Sequence, residues 1–421
     1  MSLQTWGISD TGRARKANED CFLLGPDLGL LAVADGMGGF QRGDVASELA
    51  CSVMREAVVA GGPVLDQFRA DPSEAHRDAV LDLLEDGVQQ ACRQVHEASL
   101  SLTGEGGRMG TTMDAVLVVG QTAFLVHVGD GRVYLGRGGE LHQLTEDHSL
   151  VQQQLKEGLI TEEQARSARN KNVITRALGV FSSVLVDSLA FELDPRDTFV
   201  LCSDGLHRYI GKRELAFTLA EGEPEQGLRR LVATANERGG RDNITLAFAR
   251  PQSAVAAVAD DPQTPQRMDV LRRVDLFQYC TYRQLLEFTQ QARELRAAAG
   301  TVLFEDGQAG DDFYIVVSGS VAIEKGGTRL AEMGPGNTFG ELSLVDLPQR
   351  SATARVLSES RFLVIDKASF LRVIKQDGAL GTGVLWQMLR KLAQHLRTTN
   401  ERLVSETISL QLLEPDQGQG G

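Results

Sequence analysis

Continuous apolar runs that stop on an acidic residue recur through the first 250 residues of the chain. Leu30-Leu31-Ala32-Val33-Ala34 runs into Asp35-Gly36, Thr198-Phe199-Val200-Leu201-Cys202 into Ser203-Asp204-Gly205, and Ala123-Phe124-Leu125-Val126-His127-Val128 into Gly129-Asp130. Asp242 opens the run Asn243-Ile244-Thr245-Leu246-Ala247-Phe248-Ala249, and Glu19-Asp20 precede a run that starts at Cys21. Unbroken apolar runs of this length predict strands buried on both faces. Two stretches instead show helical spacing: Asp44 to about Ala60, and Ala75 to Leu100 with Val80, Leu84, Val88 and Ala91 on one face. Gly61-Gly62-Pro63 reads as the loop between them. Strands in groups with helices between them predict sheets covered by helices, not a strictly alternating parallel sheet.

The pattern changes twice further along. Asp147 to Thr175 is polar, with Gly158 ending one short helix and Thr161-Glu162-Glu163-Gln164 forming a capping box for the next, as in a small surface flap or a plain connecting helix pair. Pro251 to Met268 is rich in Ala, Asp, Gln and Pro and reads as a linker, followed by a helical segment from Asp269 to Ala292. Glycines then recur at Gly300, Gly307, Gly310, Gly319, Gly326-Gly327, Gly334 and Gly336, between short apolar runs such as Phe313 to Val317 and Ser320 to Ile323. This spacing predicts a small β-roll. From Val384 onward Leu385, Leu389, Leu392, Leu396 and Leu403 form a heptad-like stripe on a long helix, usable for a homodimer, as a lid, or for packing on its own domain. The expected division is 1–250, a linker over 251–268, a second domain over 269–400 and a helix end and tail over 401–421.

With 421 residues the chain is long enough for two or three domains, and 57 acidic against 43 basic residues leave a net charge of -14. No dense Lys/Arg block stands out, so neither nucleic acid nor an anionic membrane is expected as the main partner. The five cysteines are scattered without a Cys-x-x-Cys pair, which suits reduced thiols and a cytoplasmic protein. No run approaches the ~18 apolar residues that span a bilayer.

Acidic residues at five strand ends change the picture most. If they converge, their mutual repulsion raises each pKa unless a cation holds them ionised, and an all-oxygen donor set favours Mg²⁺ or Mn²⁺. Ser9 to Asp20, Asp35-Gly36-Met37-Gly38-Gly39, Gly110-Thr111-Thr112, Val128-Gly129-Asp130, Ser203-Asp204-Gly205 and Gly240-Arg241-Asp242-Asn243 together resemble, in order, the motif set of metal-dependent serine/threonine phosphatases of the protein phosphatase 2C type, in their bacterial form. The resemblance spans nearly all of the first 250 residues. It implies an α+β fold, an α-β-β-α sandwich with a binuclear metal centre at one end. Asp35 would bridge two ions, the Gly36 carbonyl and the Glu19-Asp20 pair would serve one, and Asp204 and Asp242 the other. Asp130 with Asp204 would hold a third, weaker ion. Two such ions activate a water, lowering its pKa from about 15.7 toward about 7, for in-line attack on phosphorus. Arg15 is placed on the phosphate oxygens, because a planar guanidinium offers parallel donors. The chain departs from the family at Met37 and Phe40, where relatives carry histidine, so this loop supplies no imidazole; protonation of the leaving group then falls to a metal-bound water. His207 is read as structural.

In the second domain Phe339-Gly340-Glu341-Leu342-Ser343-Leu344 is followed by Arg350-Ser351-Ala352-Thr353. Gly340 lets backbone approach an anion, a short helix opening at Glu341 aims amides at it, and Arg350 supplies the countercharge. This resembles the phosphate-binding cassette of cyclic-nucleotide-binding domains such as those of catabolite activator protein and the regulatory subunits of cyclic-AMP-dependent protein kinase. It departs where Gln349 separates Pro348 from Arg350. The resemblance implies that Gly340, Glu341, Leu342, Arg350 and Ser351 contact a cyclic nucleotide, cAMP or cGMP, with Glu341 on the ribose. The expectation is therefore a cytoplasmic phosphatase acting on phosphoserine and phosphothreonine proteins, opposing serine/threonine kinases and regulated by a cyclic nucleotide. The alternatives are an active phosphatase whose β-roll (jelly-roll-like, with flanking helices) only dimerises, and a silent phosphatase-fold scaffold.

Overall fold

The computed structural model describes residues 3–38, 42–103, 109–168, 170, 173–251, 263–345, 349–376 and 378–413. The chain divides into two compact units, Met1–Asp261 and Pro262–Gly421.

In the first unit the strands are β1 Leu3–Asp10, β2 Asp20–Gly25 and β3 Leu30–Met37; after helices α1 Gly43–Ala60, α2 Gly62–Ala70 and α3 Glu74–Thr103 come β4 Gly110–Thr111, β5 Met113–Val119, β6 Thr122–Val128, β7 Arg132–Arg137 and β8 Glu140–Gln143. Helices α4 Leu150–Lys156 and α5 Glu162–Ser167 follow, then β9 Asp187–Glu192, β10 Thr198–Cys202, helices α6 Asp204–His207, α7 Lys212–Ala220 and α8 Pro224–Glu237, and β11 Ile244–Pro251. One antiparallel sheet has the order β1-β11-β10-β7-β8; the other runs β2-β3-β5-β6-β9 with β4 attached to β3.

Alternation along the strands explains why these runs are apolar throughout. Leu30, Ala32, Ala34, Ala115, Leu117, Phe124 and Val126 pack with α1, α2 and α3 in one core. Val200, Cys202, Ile244, Leu246 and Phe248 pack under α6 to α8 in another. The residues of opposite parity, among them Leu31, Val33, Val116, Leu125, Phe199, Leu201 and Ala247, are equally buried and fill the layer between the two sheets. The result is the expected α-β-β-α sandwich. Asp35 shares its parity with Leu31 and Val33 and lies in register with Asp20 across β2 and β3, so both carboxylates sit at one end of the inter-sheet layer.

One local expectation is corrected and another holds. Gly61-Gly62-Pro63 is not an extended loop: Pro63 enters the first turn of α2, where its missing N–H costs nothing. The flap is helical as read, with Ser149 capping α4 and a complete capping box at Thr161.

The second unit opens with α9 Gln263–Arg273, so 263–268 of the expected linker are helical, while 252–262 lie outside the described residues. The helical segment expected from Asp269 to Ala292 is interrupted by a 3-10 turn at Asp275–Phe277 before α10 Tyr282–Gln291. The break falls where Thr281 starts a new capping box. Strands β12 Arg293–Ala297, β13 Val302–Phe304, β14 Asp312–Ser318, β15 Val321–Lys325, β16 Thr328–Met333 and β17 Thr338–Phe339 precede the one-turn helix α11 Leu342–Val345. Strands β18 Thr353–Val356 and β19 Ser360–Asp366 and helices α12 Lys367–Gln376 and α13 Gly378–Leu413 complete the unit. Its two four-stranded antiparallel sheets, β12-β19-β14-β17 and β13-β18-β15-β16, enclose Phe304, Tyr314, Val316, Val321, Phe339 and Phe362. On α13 the inward face is Leu380, Val384 and Met388, whereas Leu385, Leu389 and Leu396 of the expected stripe are exposed. Among the described residues no helix is long and apolar enough to cross a membrane.

Candidate active site

The end of the inter-sheet layer opens into a cavity of ≈ 290 Å³ lined by Arg15, Glu19, Asp35, Gly36, Met37, Gly38, Thr112, Asp130, Ile174, Asp204, Arg208 and Asp242. Of the residues expected to bear the chemistry, only Asp20 stands behind this lining.

Backbone and side-chain hydrogen bonds hold these residues in place. The Asp35 N–H donates to Thr112 Oγ1 at 2.9 Å, and its carbonyl accepts from the Thr111 hydroxyl at 3.0 Å and the Thr112 N–H at 2.9 Å. A Cβ at Gly36 would stand 2.1 Å from the Gly43 carbonyl oxygen and 2.4 Å from that of Glu19, so only glycine permits this approach. Glu19 Oε1 accepts from the Gly43 N–H at 3.1 Å. Asp20 Oδ2 accepts from the Ser203 hydroxyl at 2.8 Å, while its Oδ1 is buried without a partner. The Asn243 side chain ties the Arg15 loop to β11: its Oδ1 accepts from the Glu19 N–H at 2.9 Å and its Nδ2 donates to the Thr11 and Ala17 carbonyls, each at 3.0 Å. Arg15 forms a fork with Asp242, Nε to Oδ1 at 2.9 Å and Nη2 to Oδ2 at 3.0 Å.

The electrostatics are those of crowded carboxylates. Burial, then Asp20, Asp204, Asp130 and Asp242, push Asp35 well above the usual carboxylate range. Asp20 is pushed up to about 7 and Asp130 to about 8, in both cases first by burial. Asp204 is pushed up to about 6 by burial, with Arg208 opposing the rise. His207 is pushed down to about 4 by burial and by Arg132, and its Nε2–H donates to the Asp130 carbonyl at 2.8 Å; it is neutral and holds the Asp130 turn.

The donor set fits hard divalent cations: carboxylates ring one cavity, Asp35, Asp130 and Asp204 among them ionise at a cost that a cation removes, and Asp204 Oδ1 is buried with no hydrogen-bond partner. Among the described residues no three acidic, His or Cys side chains already close on one point. Two guanidiniums, Arg15 and Arg208, are drawn in between them. Phe40 lies outside the described residues.

Sequence reading missed Arg208, Thr112, Ser203 and Asn243. Arg208 had a signal: it follows Asp204 by four positions, one turn along a helix, where an ion pair forms. Asn243 stood inside a recognised motif without a role; a side chain bonded to segments more than 220 positions away leaves no local trace.

In the second unit Arg350 is 5% exposed, stacks 4.2 Å over the Phe304 ring, and donates from Nη1 to the Asp312 carbonyl at 2.8 Å. Its Nε is buried without a partner, and burial lowers the guanidinium's pKa. Gly340, at φ +81, would place a Cβ 2.8 Å from the Asp312 oxygen and 2.9 Å from Arg350 Nη1. The glycine thus makes room for the guanidinium as well as for an anion. Glu341 pairs with Lys391 of α13 at 2.8 Å. Ser351 is exposed, and the Leu342 side chain lies outside the described residues. Helix α11, which follows Glu341, has four residues.

A helix-flanked double sheet thus carries a carboxylate-lined cavity and two arginines at one end of its inter-sheet layer. Residues 14–244 match the protein phosphatase 2C family, and the chain belongs to it; residues 294–377 match the cyclic nucleotide-binding domain. The chain is 34% identical over 245 residues to the serine/threonine phosphatase stp of Listeria welshimeri, covering 56% of this chain and 92% of that protein. Among solved structures, the serine/threonine phosphatase of S. agalactiae matches with a TM-score of 0.52 at 32% identity, over 59% of this chain and 100% of that one. The Mycobacterium tuberculosis phosphatase PstP/Ppp matches with a TM-score of 0.51 at 33% identity, over 60% and 100%.

Proposed function

We propose that the chain hydrolyses phosphoserine and phosphothreonine on proteins with two Mg²⁺ or Mn²⁺ ions, and that a cyclic nucleotide bound to the second unit regulates this activity. The observation that carries the reading is the ring of strand-end carboxylates around one cavity, in which Asp35, Asp130 and Asp204 are all pushed above the usual carboxylate range. Asp35, the Gly36 carbonyl and Glu19 would hold one ion, and Asp35, Asp204 and Asp242 the other, with Asp20 behind them. Ions at these positions supply charge that attracts the phosphate and a bound water of lowered pKa. Arg15, 48% exposed at its side chain, reaches the phosphate oxygens by turning its fork from Asp242. Thr111 and Thr112 keep Asp35 at the strand end, and Met37 contributes an apolar side chain to the cavity lining. No histidine lines the cavity among the described residues, so general acid catalysis by imidazole is not part of this reading.

In the second unit the unpartnered Nε of Arg350 supports an anion site for the cyclic phosphate of cAMP or cGMP. Glu341 would take the ribose, sharing its carboxylate with Lys391. A cytoplasmic setting and phosphoproteins made by serine/threonine kinases complete the reading. Calorimetric titration of cAMP and cGMP into the full chain, followed by hydrolysis of a phosphothreonine peptide at saturating nucleotide, tests it. Coupling between such sites is typically ~1–3 kcal/mol, or a ~5–150-fold change in rate. Binding without any change in turnover would leave the β-roll as an assembly module; absence of turnover under all conditions would leave a scaffold.

A further inference from the structure

Asp204 has two carboxylate oxygens with different surroundings. Oδ2 is bonded to Nη2 of Arg208, one helical turn further on, whereas Oδ1 is buried and has no hydrogen-bond partner. We propose that the Arg208 guanidinium serves as a built-in counter-cation for Asp204, so that the cavity takes two divalent cations and none at Asp130. This deepens the metal-dependent reading above and rests on it.

The two oxygens of Asp204 limit how many cations it can serve. A cation shared by Asp35, Asp204 and Asp242 needs one oxygen from Asp204, and Oδ1 is open to it. A further cation bridging Asp204 and Asp130 needs the other oxygen, and Oδ2 belongs to a charge-assisted hydrogen bond with Arg208 at the cavity wall. Taking that oxygen means displacing a unit positive charge already in place. Arg208 is held there by the backbone: it caps α6 at φ -65 and ψ -28, and its side chain is only 24% exposed against 9% for Asp204. Its charge also acts on Asp130, favouring that carboxylate's ionised form. The Asp130 turn is fixed independently, through the His207 bond to its carbonyl and a Gly131 whose Cβ would stand 1.9 Å from Asp114 Oδ2. Asp130 therefore stays at the cavity wall without a cation of its own to hold it.

The test counts ions and does not depend on turnover. Equilibrium dialysis of the full chain against Mn²⁺, with bound metal counted and the spin signal of free Mn²⁺ read in parallel, is expected to saturate at two ions per chain. Arg208→Gln, which is shorter, stays polar and removes the charge, is expected to add a third, weaker ion. Arg208→Lys, which restores the charge, is expected to return the count to two. Asp130→Asn in the otherwise unchanged chain is expected to leave the count at two and the affinities within about twofold, since an amide keeps the shape and only the charge is lost. Three ions on the unchanged chain, two on Arg208→Gln, or the loss of an ion in Asp130→Asn would each overturn the inference. A chain that binds no Mn²⁺ at all would remove the two-ion reading itself, which separates the two failures.

Discussion

Asn243→Ala tests whether the arginine loop is hung from β11 by one side chain. Asn243 is 4% exposed, and its amide makes three hydrogen bonds, to the Glu19 N–H and to the Thr11 and Ala17 carbonyls. Alanine leaves all three backbone groups without their partner. At about 1 kcal/mol for each lost bond, the loss is ~3 kcal/mol of stability. For a unit of this size that lowers the melting temperature by ~6–12 °C. Because Arg15 and Glu19 ride on the same loop, the KM for a phosphopeptide should rise as well. Asn243→Asp is the sharper companion. It keeps the acceptor for Glu19 but turns a carboxylate toward two carbonyl oxygens, so it should be no more stable than alanine. The assay is urea unfolding of the full chain, following the transition of the phosphatase unit. A loss under about 0.5 kcal/mol for Asn243→Ala would show that water or a shifted loop satisfies these groups, and would refute the reasoning.

Two further predictions concern separate parts of the molecule. Arg350→Ala removes the buried guanidinium stacked on Phe304 and should weaken cyclic-nucleotide binding by ~2–5 kcal/mol; unchanged affinity by calorimetry would place the anion elsewhere. At the buried His127–Asp114 pair, burial opposes the charge on His127, but the Asp114 carboxyl at 2.6 Å and the Glu146 carbonyl at 2.9 Å outweigh it and raise its pKa. A raised folded-state pKa gives stability that is complete below the unfolded value of about 6.5 and is lost as pH rises through the folded value. Urea unfolding at fixed Mn²⁺ should therefore show stability falling above about pH 6.5 in the unchanged chain, with that component missing in His127→Gln; parallel curves would contradict it.

How much of this was legible in the sequence differs from place to place. The strand ends were, because burial on both faces forces unbroken apolar runs, and an acidic residue at the end of one is visible without the fold. The sandwich needed the resemblance, since which strands share a sheet, such as β1 beside β11, is set by contacts far apart in sequence. Met37 lining the cavity was predictable from its motif; Arg208 bonded to Asp204 would have followed from helical spacing. The Glu341–Lys391 pair joins positions 50 apart, and no local pattern announces it. The helix break near Asp275 was missed because the apolar spacing continues across it, while the capping box at Thr281, already legible, marked the restart.

The central claim, a phosphatase whose carboxylates work only with divalent cations, is tested most directly by one rate measurement. Hydrolysis of a phosphothreonine peptide by the full chain is followed in excess chelator and then after addition of Mn²⁺, with Asp204→Asn alongside. The uncatalysed reaction is so slow, with up to ~10²¹-fold acceleration known, that any turnover reports the assembled site. The account predicts no detectable rate in chelator, recovery with Mn²⁺, and a variant that stays near background with or without it. Undiminished hydrolysis in chelator, or an Asp204→Asn chain as fast as the unchanged one, would contradict it.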